Sequence, residues 1–205
     1  RDLHKEYRRQ RQMCIRDSLE SLSRFLSKQP AYGIPVDPHH LFLTAGASQG
    51  LDLACTLYAP AGSTVVVEEP TYFVVEKIFR EHNLNVIGVP TDSQGMLVSR
   101  LERLLLDGLH PNLVYIIPTF QNPTGFSLSE DRRIHLISLA NRYDFHILAD
   151  EVYQLIYFDE LPPKPFFAFD QGNRVISFGS FSKILAPGLR TGWIHAAPQI
   201  IKRFS

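Results

Sequence analysis

The stretch Val175-Ile176-Ser177-Phe178-Gly179-Ser180-Phe181-Ser182-Lys183, continued by Ala186-Pro187-Gly188-Leu189-Arg190-Thr191-Gly192-Trp193, decides how this chain is read. A run with β-branched and aromatic residues breaks into small hydroxylated ones, then a lysine, then a loop punctuated by Pro and Gly that carries one arginine. The pattern predicts a buried strand delivering a lysine to a site. A lysine amine forms a Schiff base with a carbonyl when a pocket or a cationic neighbour keeps it neutral. An isolated loop lysine is more often simply solvated, so the assignment of Lys183 depends on what else the chain brings to it.

Upstream, short apolar runs alternate with amphipathic ones. Strands are expected at 41–44, 64–67, 86–89, 113–117, 145–149 and 174–178. Helices are expected from Leu19, from Gly46-Ala47-Ser48-Gln49, over 73–82, around Leu97 to Leu105 and from Ser127. Ser127 and Glu130 match a capping box. Asp52 is placed in the first turn of its helix, where the dipole favours an acid. This alternation predicts an α/β domain over 19–205, with a mainly parallel sheet flanked by helices on both faces.

Composition bounds the function. Hydrophobic residues make up 44% and the formal net charge is +0, which fits an ordinary globular domain. The first 17 residues hold six Arg or Lys against three acids, leaving a mildly acidic body with no footprint for nucleic acid. Residues 1–18 lack an apolar period and are expected as a disordered basic arm, or as a segment foreign to the fold such as a mistranslated end of an incomplete gene. Cys14 and Cys55 form no disulfide framework and no metal-ligand spacing, which suits a reducing, cytoplasmic setting. His39-His40 has no Cys or His partner at ligand spacing, so no metal is expected. No run approaches the ~18 apolar residues of a membrane span, and no membrane partner is expected.

In an open α/β sheet, ligands sit outside the carboxyl ends of the strands, and the unusual polar residues here fall at such ends. Thr44 to Gln49 follows one strand, Glu68-Glu69-Pro70-Thr71-Tyr72 a second and Thr119 to Gly125 a third. Asp150-Glu151-Val152-Tyr153 and Ser180 to Lys183 follow two more. The ordered set Gly-Ala-Ser-Gln, Glu-Pro-Thr-Tyr, Gln-Asn-Pro-Thr-Gly, Ala-Asp-Glu-Val-Tyr, Ser-Phe-Ser-Lys and Gly-Leu-Arg-Thr-Gly-Trp resembles the class I and II aminotransferases, pyridoxal-phosphate enzymes of fold type I. Each motif is weak alone; together, with 28 residues from Asn122 to Asp150 and 33 from Asp150 to Lys183, they are specific.

The resemblance implies the cofactor pyridoxal 5'-phosphate and a role for each position. Lys183 would be the Schiff-base lysine. Ala47, Ser48 and Gln49 at a helix start, with Ser180, Ser182 and Arg190, would hold the phosphate. Asp150 would keep the ring nitrogen protonated, Asn122 and Tyr153 would donate to the phenolate oxygen, and Tyr72 would stack on the ring. Each has a plainer alternative: a helix cap for the small residues and Asp150, packing for Tyr72. The family also implies cis bonds at Glu69-Pro70 and Asn122-Pro123, amino acid and 2-oxo acid substrates, and a homodimer. Members are longer, with a small domain carrying the arginine that grips the substrate carboxylate. The present chain therefore resembles a truncated large domain, expected to expose apolar surface around Phe120, Phe126, Phe166, Phe167 and Phe181. The competing readings are a lyase or decarboxylase of the same fold, the effector domain of a transcription regulator, and a Rossmann-like nucleotide domain. The last lacks any Gly-x-Gly-x-x-Gly or Walker loop.

Overall fold

Eight strands form one mixed sheet in the order β1-β8-β7-β6-β5-β2-β3-β4. They are β1 (Leu41–Thr44), β2 (Thr64–Glu69), β3 (Asn85–Asp92), β4 (Gly95–Met96), β5 (Leu113–Ile116), β6 (His146–Asp150), β7 (Val175–Ser180) and β8 (Gly192–Ala196). The computed structural model that shows this describes the backbone of residues 2–204 and the side chains of Lys5, Gln10 and residues 13–204. Strands β3, β2, β5, β6 and β7 are parallel. Strand β8 runs antiparallel between β7 and β1, and the short β4 pairs antiparallel with the end of β3.

The period-two alternation of the central strands divides the core into two layers. Val65, Val67, Leu113, Tyr115, Leu148, Ile176 and Phe178 face α2 (Ala47–Tyr58), α3 (Phe73–Glu81) and α6 (Pro198–Phe204). Val66, Val114, Ile116, Ile147, Ala149 and Val175 face α4 (Val98–Leu106) and α5 (Glu130–Tyr143). Strands buried on both sides read as continuous apolar runs, which is why they were legible in the sequence. Helix α2 lies tight on β7: a Cβ on Gly50 would come within 2.9 Å of the Phe178 ring, so a glycine accepted in a helix interior brings the two elements together.

The first helix, α1, spans Asp2–Ser27 without a break, where the sequence led us to expect a disordered arm up to residue 18. Arg, Gln, Leu, Glu and Lys are strong helix formers, no Pro or Gly interrupts before Pro30, and Arg16 pairs with Glu20 at 3.0 Å one turn on. The segment is thus a polar extension of a helix whose packed part begins near Leu19. Leu22 and Leu26 are buried against Leu41 and Trp193 at the β1–β8 side of the sheet, each contributing ~1.5–3 kcal/mol by burial.

Two other local expectations are corrected. The N-cap of α5 is Ser129, not Ser127; the Ser127 hydroxyl instead accepts the Phe120 N–H at 3.0 Å. Asp52 lies beyond the first turn of α2 and pairs with His82 Nε2 at 2.8 Å, tying α2 to the end of α3. Phe166, expected at the surface, is fully buried beneath the Arg133 guanidinium, 5.3 Å from its ring centroid. Phe120 and Phe126 are exposed as expected, Phe167 and Phe181 only half so. No helix among the described residues is long and apolar enough to cross a membrane. Among the same residues no cluster of three His, Cys, Asp or Glu could hold a metal ion.

Candidate active site

The sheet topology brings one edge together. The carboxyl ends of β1, β2, β5, β6 and β7 lie on the same side, and β8 begins there because Gly192 pairs with both Ser180 and Thr44. The loop from Phe181 to Thr191 therefore leaves and re-enters the sheet at a single edge. Arg190, in the left-handed region at φ 46°, turns back over the start of α2, where its Nη2 donates to the Ala45 carbonyl at 3.2 Å. Gly46 makes room for it: at φ 95° a Cβ there would sit 2.6 Å from that same nitrogen.

A cleft of about 210 Å³ opens at this edge. It is lined by Ala47 and Ser48, Tyr72, Asp150, Tyr153, Ser180, Ser182, Lys183 and Arg190, together with Ile117, Val152 and Pro187. The first-turn N–H groups of α2 have no intrahelical acceptor by helix geometry, and Ala47 and Ser48 of that turn share the lining with Arg190 and the two serines. Ser180 Oγ donates to Ser182 Oγ at 3.0 Å and accepts the Ser182 N–H at 3.1 Å, so the two hydroxyls are held as a pair. Lys183 is exposed, with Nζ 6.0 Å from the centre of the Tyr153 ring.

Asp150 forms the floor. Its Oδ2 accepts the Tyr115 hydroxyl at 2.8 Å, whereas Oδ1 is buried without a hydrogen-bond partner. Burial pushes this carboxyl up to about 6, against the opposing pull of the Tyr115 hydroxyl, the Val152 N–H and the Lys183 charge. Burial also pushes Glu68 up to about 8, although its Oε2 accepts the Ile117 N–H at 2.9 Å. Near pH 7 Glu68 is thus mainly a neutral acid, and Asp150 is the carboxylate of the cleft. An orphaned buried oxygen at the wall of a cleft fits a protonated ring nitrogen, and a cationic, hydroxyl-lined end fits a phosphate.

Asp150 carries a stability cost that can be measured. Its folded pKa lies above the ordinary 3.8, so the folded chain holds this proton more tightly than the unfolded one. Stability then falls as pH rises from about 4 to about 6, and the penalty is complete at pH 7. Asp150→Asn is expected to make the cofactor-free protein more stable at pH 7 by about 1–3 kcal/mol, with the difference shrinking toward pH 4. Thermal and urea unfolding across that range check this; a variant less stable than the parent at pH 7 would count against it.

Two expected site residues are not brought into the cleft lining. Gln49 is exposed and its side-chain oxygen accepts the Ala45 N–H at 2.6 Å, a capping role. Asn122 is half-buried in the loop after β5, outside the lining residues. That loop is fastened by Gln121, whose Nε2 donates to the Pro70 carbonyl at 2.8 Å and whose Oε1 accepts both the N–H and the hydroxyl of Thr124. Both Glu69-Pro70 and Asn122-Pro123 are cis, as the resemblance implies. Sequence reasoning missed Tyr115, although strand parity with Ile117 could have located it.

Known proteins resemble this chain over most of its length. The family model for aminotransferase class I and II matches residues 10–204. Aromatic-amino-acid aminotransferase 1 of Thermococcus litoralis is 40% identical over 84% of this chain and 42% of its own length. The uncharacterized HTH-type transcriptional regulator YdfD of Bacillus subtilis is 32% identical over 91% of this chain and 38% of its own. The crystal structure of the kynurenine aminotransferase of Pyrococcus horikoshii, solved with PMP, superposes with a TM-score of 0.80 at 38% identity, covering 90% of this chain and 46% of that one. The chain thus spans less than half the length of these relatives, and across nearly all of its own length it belongs to the class I and II aminotransferase family, on the fold of the pyridoxal-phosphate enzymes of fold type I.

Proposed function

We propose that this chain is the cofactor-binding domain of a pyridoxal-phosphate-dependent aminotransferase that moves an amino group between an amino acid and a 2-oxo acid. The observation that carries the proposal is the sharing of one cleft by a lysine, a cationic serine-lined end and a buried aspartate with a free oxygen. Pyridoxal phosphate, when bound, supplies an aldehyde for Schiff-base exchange and an electron-withdrawing ring.

The residues divide the remaining work. Arg190, Ser180, Ser182 and the N–H groups at Ala47 and Ser48 hold the phosphate, with Gln49 shaping that turn. Asp150 Oδ1 would accept from the ring nitrogen and keep it protonated. Tyr72 would cover a ring face and Tyr153 would donate to the phenolate oxygen, with Asn122 as the second donor that the family resemblance implies. Lys183 Nζ would hold the cofactor through its aldehyde and, once free, would be the amine placed to carry a proton from the substrate Cα. The exposed Leu185 and Leu189 beside Lys183, and Phe120 and Phe126 nearby in sequence order to the Asn122 loop, are apolar surface that a homodimer partner would cover.

The test uses the intact protein with pyridoxal phosphate and single amino acids, beginning with the aromatic ones that the Thermococcus litoralis relative's name suggests. Release of the matching 2-oxo acid is expected. Carbon dioxide or an eliminated side chain in its place would assign a decarboxylase or lyase of the same fold. The likeness to the Bacillus subtilis regulator favours a second reading, an effector-sensing domain. A change in the cofactor's absorption with each amino acid, without release of any product, would replace the enzyme by that sensor.

A further inference from the structure

Tyr115 does not line the cleft and has no part in the roles above, yet it lies wholly buried in β5 and spends its one hydroxyl on Asp150. A tyrosine in an apolar layer requires a partner for its hydroxyl. The partner it has is the Asp150 oxygen that turns away from the free one.

We propose that Tyr115 is a positioning residue for Asp150: its hydroxyl pins Oδ2, leaves Oδ1 as the single acceptor offered to the cleft, and keeps the carboxylate ionised in a buried setting. The inference rests on the reading that Asp150 serves a protonated ring nitrogen. The geometry is favourable because strand parity puts Tyr115 on the same face as Leu148 and Asp150, one strand over, with Tyr115 paired to Leu148 in register. The hydroxyl therefore reaches Oδ2, and Oδ1 is left without a hydrogen-bond partner.

The groups that set the charge of Asp150 are few. Beside the Tyr115 hydroxyl, the Val152 N–H and then Lys183, in the loop after β7, favour its ionisation. Glu151, next in the chain, has its own pKa raised by burial and is matched by Arg133 from α5. Glu68 on β2 and Tyr72 before α3 bear on Tyr115 from the other side, and Tyr115 itself is held far above its ordinary value by burial beside Asp150. It thus stays a neutral donor at any working pH. A hydrogen bond to a charged acceptor is among the stronger ones, so its loss should move the Asp150 titration upward by about one pH unit or more.

The experiment follows the Asp150 side-chain carboxyl by carbon-13 NMR in the intact, cofactor-free protein, with the signal assigned by its absence in Asp150→Asn. The parent midpoint is expected near 6, and that of Tyr115→Phe about one unit or more higher. Replacing Tyr115 by a fluorinated tyrosine, a stronger donor of nearly the same shape, should shift it the opposite way. An unchanged or lowered midpoint in Tyr115→Phe, or fluorotyrosine and phenylalanine shifting it alike, would overturn the inference. A second measurement, pyridoxal phosphate affinity against pH, separates the two proposals. If Tyr115 positions Asp150, the acid side of that profile moves upward in Tyr115→Phe, with a three- to tenfold weaker affinity at pH 7. Uniform weakening at every pH would assign Tyr115 a packing role alone and overturn the inference. A parent that binds no pyridoxal phosphate would remove the proposed function, while the carboxyl titration would still decide the role of Tyr115.

Discussion

Lys183→Ala is expected to abolish the covalent hold on pyridoxal phosphate and to lower turnover by at least ~10³-fold, the scale of losing a nucleophile and a proton carrier together. In the parent, borohydride should fix the cofactor on Lys183; in the variant it should fix none. Noncovalent binding should persist, because the end of the cleft proposed to hold the phosphate is built from other residues: Arg190, the Ser180–Ser182 pair and the first turn of α2. The structure also explains how the amine is presented. Lys183 follows the last strand residue by three positions, stands exposed at the cleft mouth, and has Asp150 as a charged neighbour below and the Tyr153 ring 6.0 Å away. Reduction that labels another lysine, such as Lys164 or Lys202, or a variant that keeps turnover, would sink the assignment of Lys183 and with it the proposed chemistry. Restoring an amine from solution gives a further check. Small primary amines should return part of the lost activity, since the cavity left by the lysine stem opens to solvent.

The central strands and the helices between them were legible because their signals are local. A β2 or β5 buried on both faces is a bare apolar run, and an amphipathic helix repeats its pattern within three turns. The convergence of the polar loops was legible for a different reason: a parallel sheet sends every loop that follows a strand to one edge, whatever its residues. What the sequence hid is non-local. Gly192–Ala196 begins with a glycine and looks like the tail of a loop; it becomes a strand only by fitting between β1 and β7. The seven residues of α6 are too short to display a period. Gln49 and Asn122 carried the motif but not the placement, since a side chain's direction at a helix start or a loop depends on which backbone groups nearby need a partner. Gln49 answers to the Ala45 N–H. Tyr115 looked like one more large residue in a strand, and its hydroxyl acquired a meaning only once β5 was set beside β6.

Arg133 is the extreme case, and it yields the largest expected effect on stability. In the sequence it is one of two adjacent arginines in a polar first turn of a helix, where solvent exposure is the natural expectation. In the structure Arg132 goes to the edge and chelates Asp92 at 2.7 Å, while Arg133 is completely buried. Its Nε donates to the Leu128 carbonyl at 3.0 Å, Nη1 to the Lys164 carbonyl at 3.1 Å, and Nη2 to the Pro118 carbonyl at 2.6 Å and the Thr119 hydroxyl at 3.1 Å. Glu151 lies 4.0 Å away as the countercharge, and itself accepts the Phe166 N–H at 2.7 Å. One guanidinium thus binds α5 to the loop after β5, to the residue that follows Asp150 and to the segment before Phe166. Such a fork satisfies several acceptors that no lysine ammonium could reach together. Arg133→Leu would remove the countercharge of Glu151 and take this donor from the Leu128 and Lys164 carbonyls in an apolar interior, while Pro118 keeps the Leu128 N–H, and is expected to destabilise the fold by about 3–5 kcal/mol. Arg133→Lys should recover only a minor part of that loss. Because Pro118, Thr119 and Glu151 flank the cleft, partial unfolding in either variant should loosen the loop after β5 before the sheet opens. Hydrogen exchange at residues 118–128 should then accelerate more than exchange in β6 or β7. Equilibrium urea unfolding measures the main effect. A loss in Arg133→Leu below ~1 kcal/mol, the range of an exposed ion pair, would mean that the buried fork does not hold these segments together.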